Sequence, residues 1–140
     1  MSTSTSFVVD TAQELQDRAK TLTGTHFFLY GDMWSGKTTF VQWFCEHLNI
    51  ARIDIQSPTY TYYNVYDNRV LHIDMRRLQE ETQLYELGLL EAMEQYPYIL
   101  IERPKREKVY QQDFPRQKIT FLKTGDNSRK ITRETTITSA

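Results

Sequence analysis

A mixed β-sheet with helices packed on its faces is the architecture this sequence predicts, and three observations carry the prediction. Two short, continuous apolar runs, His26 to Tyr30 (HFFLY) and Tyr98 to Glu102 (YILIE), have the pattern of strands buried on both faces. From Lys37 to Leu48 the residues Phe40, Val41, Phe44, Cys45 and Leu48 fall on one helical face, with Gln42 and Glu46 opposite. Segments rich in β-branched and aromatic residues are interleaved with these, so the class is α/β.

The elements follow in chain order. Residues 1–5, Ser and Thr after Met1, show no apolar periodicity and are expected to be disordered, as are the last few residues. Phe7 to Val9 is a short apolar run, after which Asp10 or Thr11 can cap a helix carrying Ala12, Leu15, Ala19 and Leu22, ended by Thr23-Gly24-Thr25. Ile53 and Ile55 alternate before Ser57-Pro58, and Thr59 to Tyr66 turns through Asp67-Asn68 into Arg69 to Asp74 as a hairpin. Residues 79–86 favour a helix, which Gly88 ends or interrupts before Leu89 to Glu94. Lys118 to Lys123 and Lys130 to Thr136 read as strands joined through Gly125-Asp126-Asn127. With 140 residues, 39% hydrophobic and 13% aromatic, and no internal repeat, the chain is expected to be one domain over 1–140 with a packed core.

Composition also excludes classes. A single cysteine, Cys45, rules out a disulfide framework or a zinc ribbon, and its place on the apolar helical face makes it core. The histidines His26, His47 and His72 are scattered and form no ligand spacing. No apolar run approaches the roughly 18 residues that span a bilayer, and the N-terminus lacks a basic leader, so a cytoplasmic protein without membrane contact is expected. Net charge is -1, but residues 1–102 carry 7 Lys+Arg against 14 Asp+Glu while residues 103–140 carry 10 against 4. The basic end either packs on the acidic part of its own domain or meets an anionic partner.

Gly31, Gly36, Lys37 and Thr38 satisfy G-x-x-x-x-G-K-[ST], directly between a buried strand and an amphipathic helix. Gly31, Asp32, Met33, Trp34, Ser35, Gly36, Lys37, Thr38 and Thr39 are therefore the expected nucleotide-binding residues of a P-loop domain. Backbone N–H groups at the start of a helix lack intrahelical partners and can surround a phosphate. Lys37 adds a full charge at the β and γ oxygens, and the Thr38 hydroxyl can sit on Mg²⁺. The fourth loop position is commonly glycine, whereas here it is Trp34, for which positive φ is costly. The loop of thymidine kinases, G-P-M-F-S-G-K-[ST], resembles this one and carries an aromatic there.

Four further segments, with this loop, resemble the TsaE (YjeE) family, the bacterial ATPase subunit of tRNA threonylcarbamoyladenosine biosynthesis. Its G-D-L-G-A-G-K-T-T-F is similar to Gly31 to Phe40; its S-P-T-[YF]-T to Ser57, Pro58, Thr59, Tyr60 and Thr61; its H-x-D-x-Y-R-L to His72, Asp74, Arg77 and Leu78. The E-L-x-x-x-G-L-x-E and I-E-W-P pieces resemble Tyr85 to Met93 and Ile101, Glu102, Pro104. The resemblance implies ATP and Mg²⁺ as cofactors, slow ATP hydrolysis, a TsaD/TsaB heterodimer as partner with tRNA reached through that complex, and adenosine 37 of tRNA as the site modified. Trp34, Arg76 and Arg103 stand where the family has Gly, Tyr and Trp.

The same residues can be read from their chemistry. Asp74 ends a strand and can hold Mg²⁺ through its waters or through Thr38; the alternative is a solvated turn acid. Glu102 ends YILIE and can orient or deprotonate the attacking water and touch the metal, or else pair with Arg103, Lys105 or Arg106. Lys37, Asp74 and Glu102 are thus the expected catalytic residues, and Thr38, Asp74 and Glu102 the expected metal ligands. Thr59 can act as a switch sensing γ-phosphate, or be a plain strand residue. Arg77 reaches a phosphate or a partner, or is merely solvated, and His72 reads as a core or interfacial histidine. Two other classes fit the loop: a small nucleoside or metabolite kinase, and a degenerate module that holds nucleotide without hydrolysing it.

Overall fold

The computed structural model describes residues 2–11, 13, 14, 17, 24–31, 36–51, 63–76, 78–107, 110, 116–126 and 128–136. Ala12, Leu15, Ala19 and Leu22, the loop interior Asp32 to Ser35, the segment with Ile53, Ile55 and Ser57 to Thr61, Arg77, Lys108, Asn127 and residues 137–140 lie outside these. Seven strands form one sheet: β1 (Ser2–Val9), β2 (His26–Gly31), β3 (Tyr63–Tyr66), β4 (Val70–Asp74), β5 (Tyr98–Glu102), β6 (Arg116–Lys123) and β7 (Arg129–Thr136), in the order β1-β7-β6-β2-β5-β4-β3. Among the described residues the helices are α1 (Lys37–His47), α2 (Thr82–Glu86) and α3 (Leu89–Gln95), and Gln13, Glu14 and Asp17 are helical as well. The expected α/β class, a mixed sheet flanked by helices, is what forms.

The four strands β6, β2, β5 and β4 run parallel, and the edges are antiparallel, β3 on β4 at one side and β7 and β1 beyond β6 at the other. β2 and β5 lie in the middle, and their unbroken apolar runs follow from burial on both faces. On one face Phe27, Leu29 and Leu100 pack with Phe40, Val41, Phe44 and Cys45 of α1. On the other, Phe28, Ile99 and Ile101 pack with Leu84, Leu89 and Met93 of the short helices and with Tyr110. Strand period two therefore assigns alternate side chains to two separate cores.

Local rules explain most boundaries. Asn49 takes φ 63 just past α1, with Ile50 N–H donating to Cys45 O and Asn49 N–H to Glu46 O, both at 2.9 Å. This is a Schellman ending with Asn at the left-handed position and Ile50 returned to the core beside Cys45. Asp67 and Asn68 both take positive φ, which suits a tight hairpin turn, and Arg69 N–H closes it on Tyr66 O at 3.0 Å. Gly88, at φ 68, both ends α2 and opens α3. The first of these helices begins at Thr82 and not at 79, because the Gln83 side-chain oxygen accepts the N–H groups of Gln79 and Glu80 and satisfies them outside a helix.

One expectation is corrected. Residues 2–5 are not disordered: they belong to β1, in register with Arg133 to Thr136 of β7. A ladder uses backbone groups, which polar residues supply as well as apolar ones, and threonine is favoured in strands. Among the described residues no helix is long and apolar enough to cross a membrane.

Phe40 is the side chain on which α1 is seated, ringed by Phe27, Phe44 and Phe121 at centroid distances of 5.7, 6.3 and 6.0 Å. Phe40→Ala is expected to destabilise the fold by about 3–5 kcal/mol, read as a lowered urea midpoint at unchanged slope.

Candidate nucleotide-binding site

The parallel register decides where the polar residues meet. Leu29 of β2 lies opposite Glu102 of β5, and Glu102 opposite Asp74 of β4. Gly31 follows two residues after Leu29, so the motif and both acids are gathered at the C-terminal ends of three adjacent parallel strands, where ligands bind in open α/β sheets. Glu102 and Asp74 share the sheet face that α1 covers, since each lies two residues beyond a register pair, Leu100 with His72, on that face.

Gly31 and Gly36 take φ 143 and 111, values that a side chain would strain, and Gly36 is the residue from which α1 starts. Phe40 N–H donates to Gly36 O at 2.9 Å, so the helix-start N–H groups that precede it, which the helix itself cannot partner, lie at the motif. Lys37 is 4% exposed and its ammonium donates to Gly31 O at 2.5 Å, closing the loop on itself. Thr38 Oγ1 donates to Glu102 Oε1 at 3.3 Å. The other Glu102 oxygen, Oε2, accepts from His72 Nε2, and His72 Nδ1 faces the Tyr66 hydroxyl at 3.0 Å.

Sequence-predicted residues are thus placed unevenly. Lys37, Thr38 and Glu102 come together, with half-buried Thr39 following on the helix. Asp74 occupies the neighbouring strand end, but its Oδ1 accepts Arg76 N–H at 2.9 Å, and the acid that Thr38 meets is Glu102 and not Asp74. Of the alternatives for Glu102, a pairing with Arg103, Lys105 or Arg106 is not formed among the described residues, the partner being His72. Lys105 instead donates to the carbonyls of Arg76 and Leu78 at 2.9 and 2.8 Å, tying the segment after β5 to the turn after β4. Asp32, Met33, Trp34, Ser35 and Thr59 lie outside the described residues. His72 is the buried core histidine that was expected, but its link to Glu102, and the part of Tyr66, are what sequence reasoning missed. The signal for His72 was its spacing of two from Asp74 in a strand, which puts both on one face; its contact with Glu102 needed the register.

Burial opposes the charge on Glu102, but the hydrogen bond and electrostatic attraction of His72, the Lys37 ammonium and the Thr38 hydroxyl outweigh it and hold the carboxyl below its ordinary range. The backbone is equally fixed: Glu102 O accepts Met75 N–H at 3.1 Å, and Arg103 N–H donates to Leu29 O at 2.8 Å. Arg103 itself sits at φ 54, a left-handed conformation costing of order 1–3 kcal/mol, so the chain turns sharply right after the acid. Among the described residues no group of three or more His, Cys, Asp and Glu side chains could hold a metal unaided. A Mg²⁺ here would draw on phosphate oxygens and water, as that ion commonly does. The Thr38–Glu102 oxygen pair beside Lys37 fits such a nucleotide-borne ion.

Fold and site define an α/β domain of P-loop-like type. Its family model is that of the threonylcarbamoyl adenosine biosynthesis protein TsaE, which matches residues 3–133. The tRNA threonylcarbamoyladenosine biosynthesis protein TsaE of Bacillus subtilis (strain 168) is 34% identical over 109 residues, covering 74% of this chain and 65% of that protein. The protein of the same name in Borreliella burgdorferi is 38% identical over 86 residues, 59% of this chain and 61% of its own length. The matched stretches span less than two-thirds of either relative. The crystal structure of B. subtilis YdiB superposes at a TM-score of 0.60 and 23% identity, over 96% of this chain and 87% of that one, a likeness of fold. The chain belongs to the TsaE family.

Because folding lowers the Glu102 pKa, its stabilising contribution is full above the unfolded carboxyl value of about 4.3 and is lost as pH falls through the lower folded value. Urea midpoints measured from about pH 7 down to 3 should therefore fall more steeply in the wild type than in Glu102→Gln.

Proposed function

We propose that this protein binds ATP with Mg²⁺ at the Gly31–Thr39 loop, hydrolyses it slowly, and so supports threonylcarbamoyladenosine formation at adenosine 37 of tRNA, in the cytoplasm, together with a TsaD/TsaB pair. The observation that carries the reading is the meeting of Thr38 and Glu102 beside Lys37 at the end of the parallel strands. Family membership and the names of the relatives support the pathway.

In this reading the N–H groups at the start of α1 and the Lys37 ammonium bind the β and γ phosphates, a preorganised positive site where charge builds up during phosphoryl transfer. Thr38, and across the row Glu102 and Asp74, would hold Mg²⁺ directly or through water; when bound, that ion neutralises charge on the phosphate oxygens. Glu102 orients a water and accepts its proton; being ionised at neutral pH, it is in the form a base requires. Thr59 serves as the switch that senses the γ-phosphate. Nothing among the described residues offers an arginine finger inside this row, so full activity depends on a partner.

Lys37→Ala is expected to abolish ATP binding in a calorimetric titration, while Glu102→Gln keeps ATP bound and slows phosphate release by ~10²-fold or more. Wild-type affinity in the first variant, or wild-type turnover in the second, would remove the corresponding role.

Association with the TsaD/TsaB pair should weaken as salt rises, with screening over ~8–10 Å. Lys105 is engaged within the chain, so the charge-reversal probe is exposed Arg106, as Arg106→Glu. A pull-down at low and high salt, with and without ATP, checks this; no association under any condition overturns the partnership and leaves the nucleotide reading intact.

A further inference from the structure

Four elements contribute one side chain each to a continuous hydrogen-bonded chain: Tyr66 from β3, His72 from β4, Glu102 from β5 and Thr38 from α1. His72 is wholly buried, and Tyr66 and Glu102 are 5% and 4% exposed. A histidine inside an otherwise apolar strand core (VLHID) costs free energy unless both ring nitrogens are matched, and here they are. For packing alone, a leucine would serve beside its register partner Leu100.

We propose that His72, braced by Tyr66, is a positioning residue that fixes the Glu102 carboxylate so that Oε2 is held in the interior and Oε1 is presented to Thr38 and the nucleotide side. The proposal rests on the reading of Glu102 given above. Glutamate has three rotatable side-chain bonds, and a carboxylate that must meet both a metal shell and a water needs one orientation of the several available. An ionised carboxylate only accepts, so His72 Nε2 must be the donor. Tyr66, at the far nitrogen, keeps the ring from turning. The arrangement parallels the outer-shell partners that orient metal-binding side chains and whose loss commonly costs 10–100-fold in affinity or activity. Because His72 reaches Glu102 from the strand side, with Tyr66 behind it, neither needs to touch nucleotide.

The test compares His72→Leu, His72→Gln and Tyr66→Phe, and combines His72→Leu with Glu102→Gln. Two quantities are measured after thermal unfolding has identified the folded variants: Mn²⁺ affinity in the presence of a non-hydrolysable ATP analogue, by electron paramagnetic resonance of free Mn²⁺, and single-turnover ATP hydrolysis. His72→Leu should lower both by about 10–100-fold while ATP affinity without metal stays unchanged. His72→Gln, which returns an N–H to Glu102, should recover most of the loss, and Tyr66→Phe should lose several-fold. In the Glu102→Gln background His72→Leu should add nothing, whereas a merely structural role would lower both backgrounds alike.

Wild-type values in His72→Leu beside a slow Glu102→Gln overturn this proposal alone. Wild-type hydrolysis in Glu102→Gln overturns the reading of Glu102 and this proposal with it. Where His72→Leu does not fold, Tyr66→Phe decides, and wild-type Mn²⁺ affinity and rate in that variant overturn the proposal.

Discussion

A carboxylate held in the interior of a sheet is the constraint around which this protein is arranged. An unmatched buried charge costs several kcal/mol, so Glu102 requires compensation from every direction that water cannot reach. Lys37 supplies charge, His72 and Thr38 supply donors, and the peptide units on either side are pinned to Met75 and Leu29. These partners come from α1, β2, β4 and the turn after β4, so the site exists only when the register of the parallel strands is correct. A slip of one residue in β5 would turn Glu102 to the opposite face, into the core built on Phe28 and Ile101.

That dependence explains the division of labour between the two faces. The α1 face carries the polar row at its strand ends and is sealed behind it by aromatics packed edge to face, Phe27, Phe40, Phe44 and Tyr98. The end of the helix is held too: Arg69, in the β3–β4 turn, donates to Leu48 O at 2.7 Å. Cys45 beneath it is fully buried, and burial pushes its thiol up to about 12 against the opposing pull of Arg69, so it packs as a small apolar residue and not as a nucleophile. Among the described residues the opposite face carries no such row and works as support, with Tyr110 donating to Lys105 O at 2.7 Å and holding the segment that follows the acid.

The charge asymmetry of the chain takes on a more specific meaning in this setting. Lys105 binds backbone carbonyls, and Lys118 lies 4.8 Å over the ring of Tyr30 next to the loop. These cations serve the domain's own structure. Arg106, exposed at φ 56, is directed outward by the turn and offers its charge to solvent.

How much was legible beforehand differs by element. The buried strands, α1, the β3–β4 hairpin and the break at Gly88 were readable because periodicity, turn residues and glycine act over a few residues. The G-x-x-x-x-G-K-[ST] motif is legible for the same reason, its residues being consecutive; its interior, Asp32 to Ser35, lies outside the described residues. Even so, the terminal strand β1 was missed, because Ser and Thr give no apolar pattern and only pairing with β7 makes them a strand. The exchange of Asp74 for Glu102 as the acid that meets Thr38, and the joining of Tyr66, His72 and Glu102, depend on which strands are neighbours and in what register. The two contacts of Glu102 link residues 30 and 64 positions apart, and local preference carries no information over such separations. By itself the sequence determined most of the elements and the place of the Gly31–Thr38 motif between β2 and α1; the tertiary structure decided which carboxylate is buried and what holds it, because only strand pairing sets distances between side chains remote in the chain.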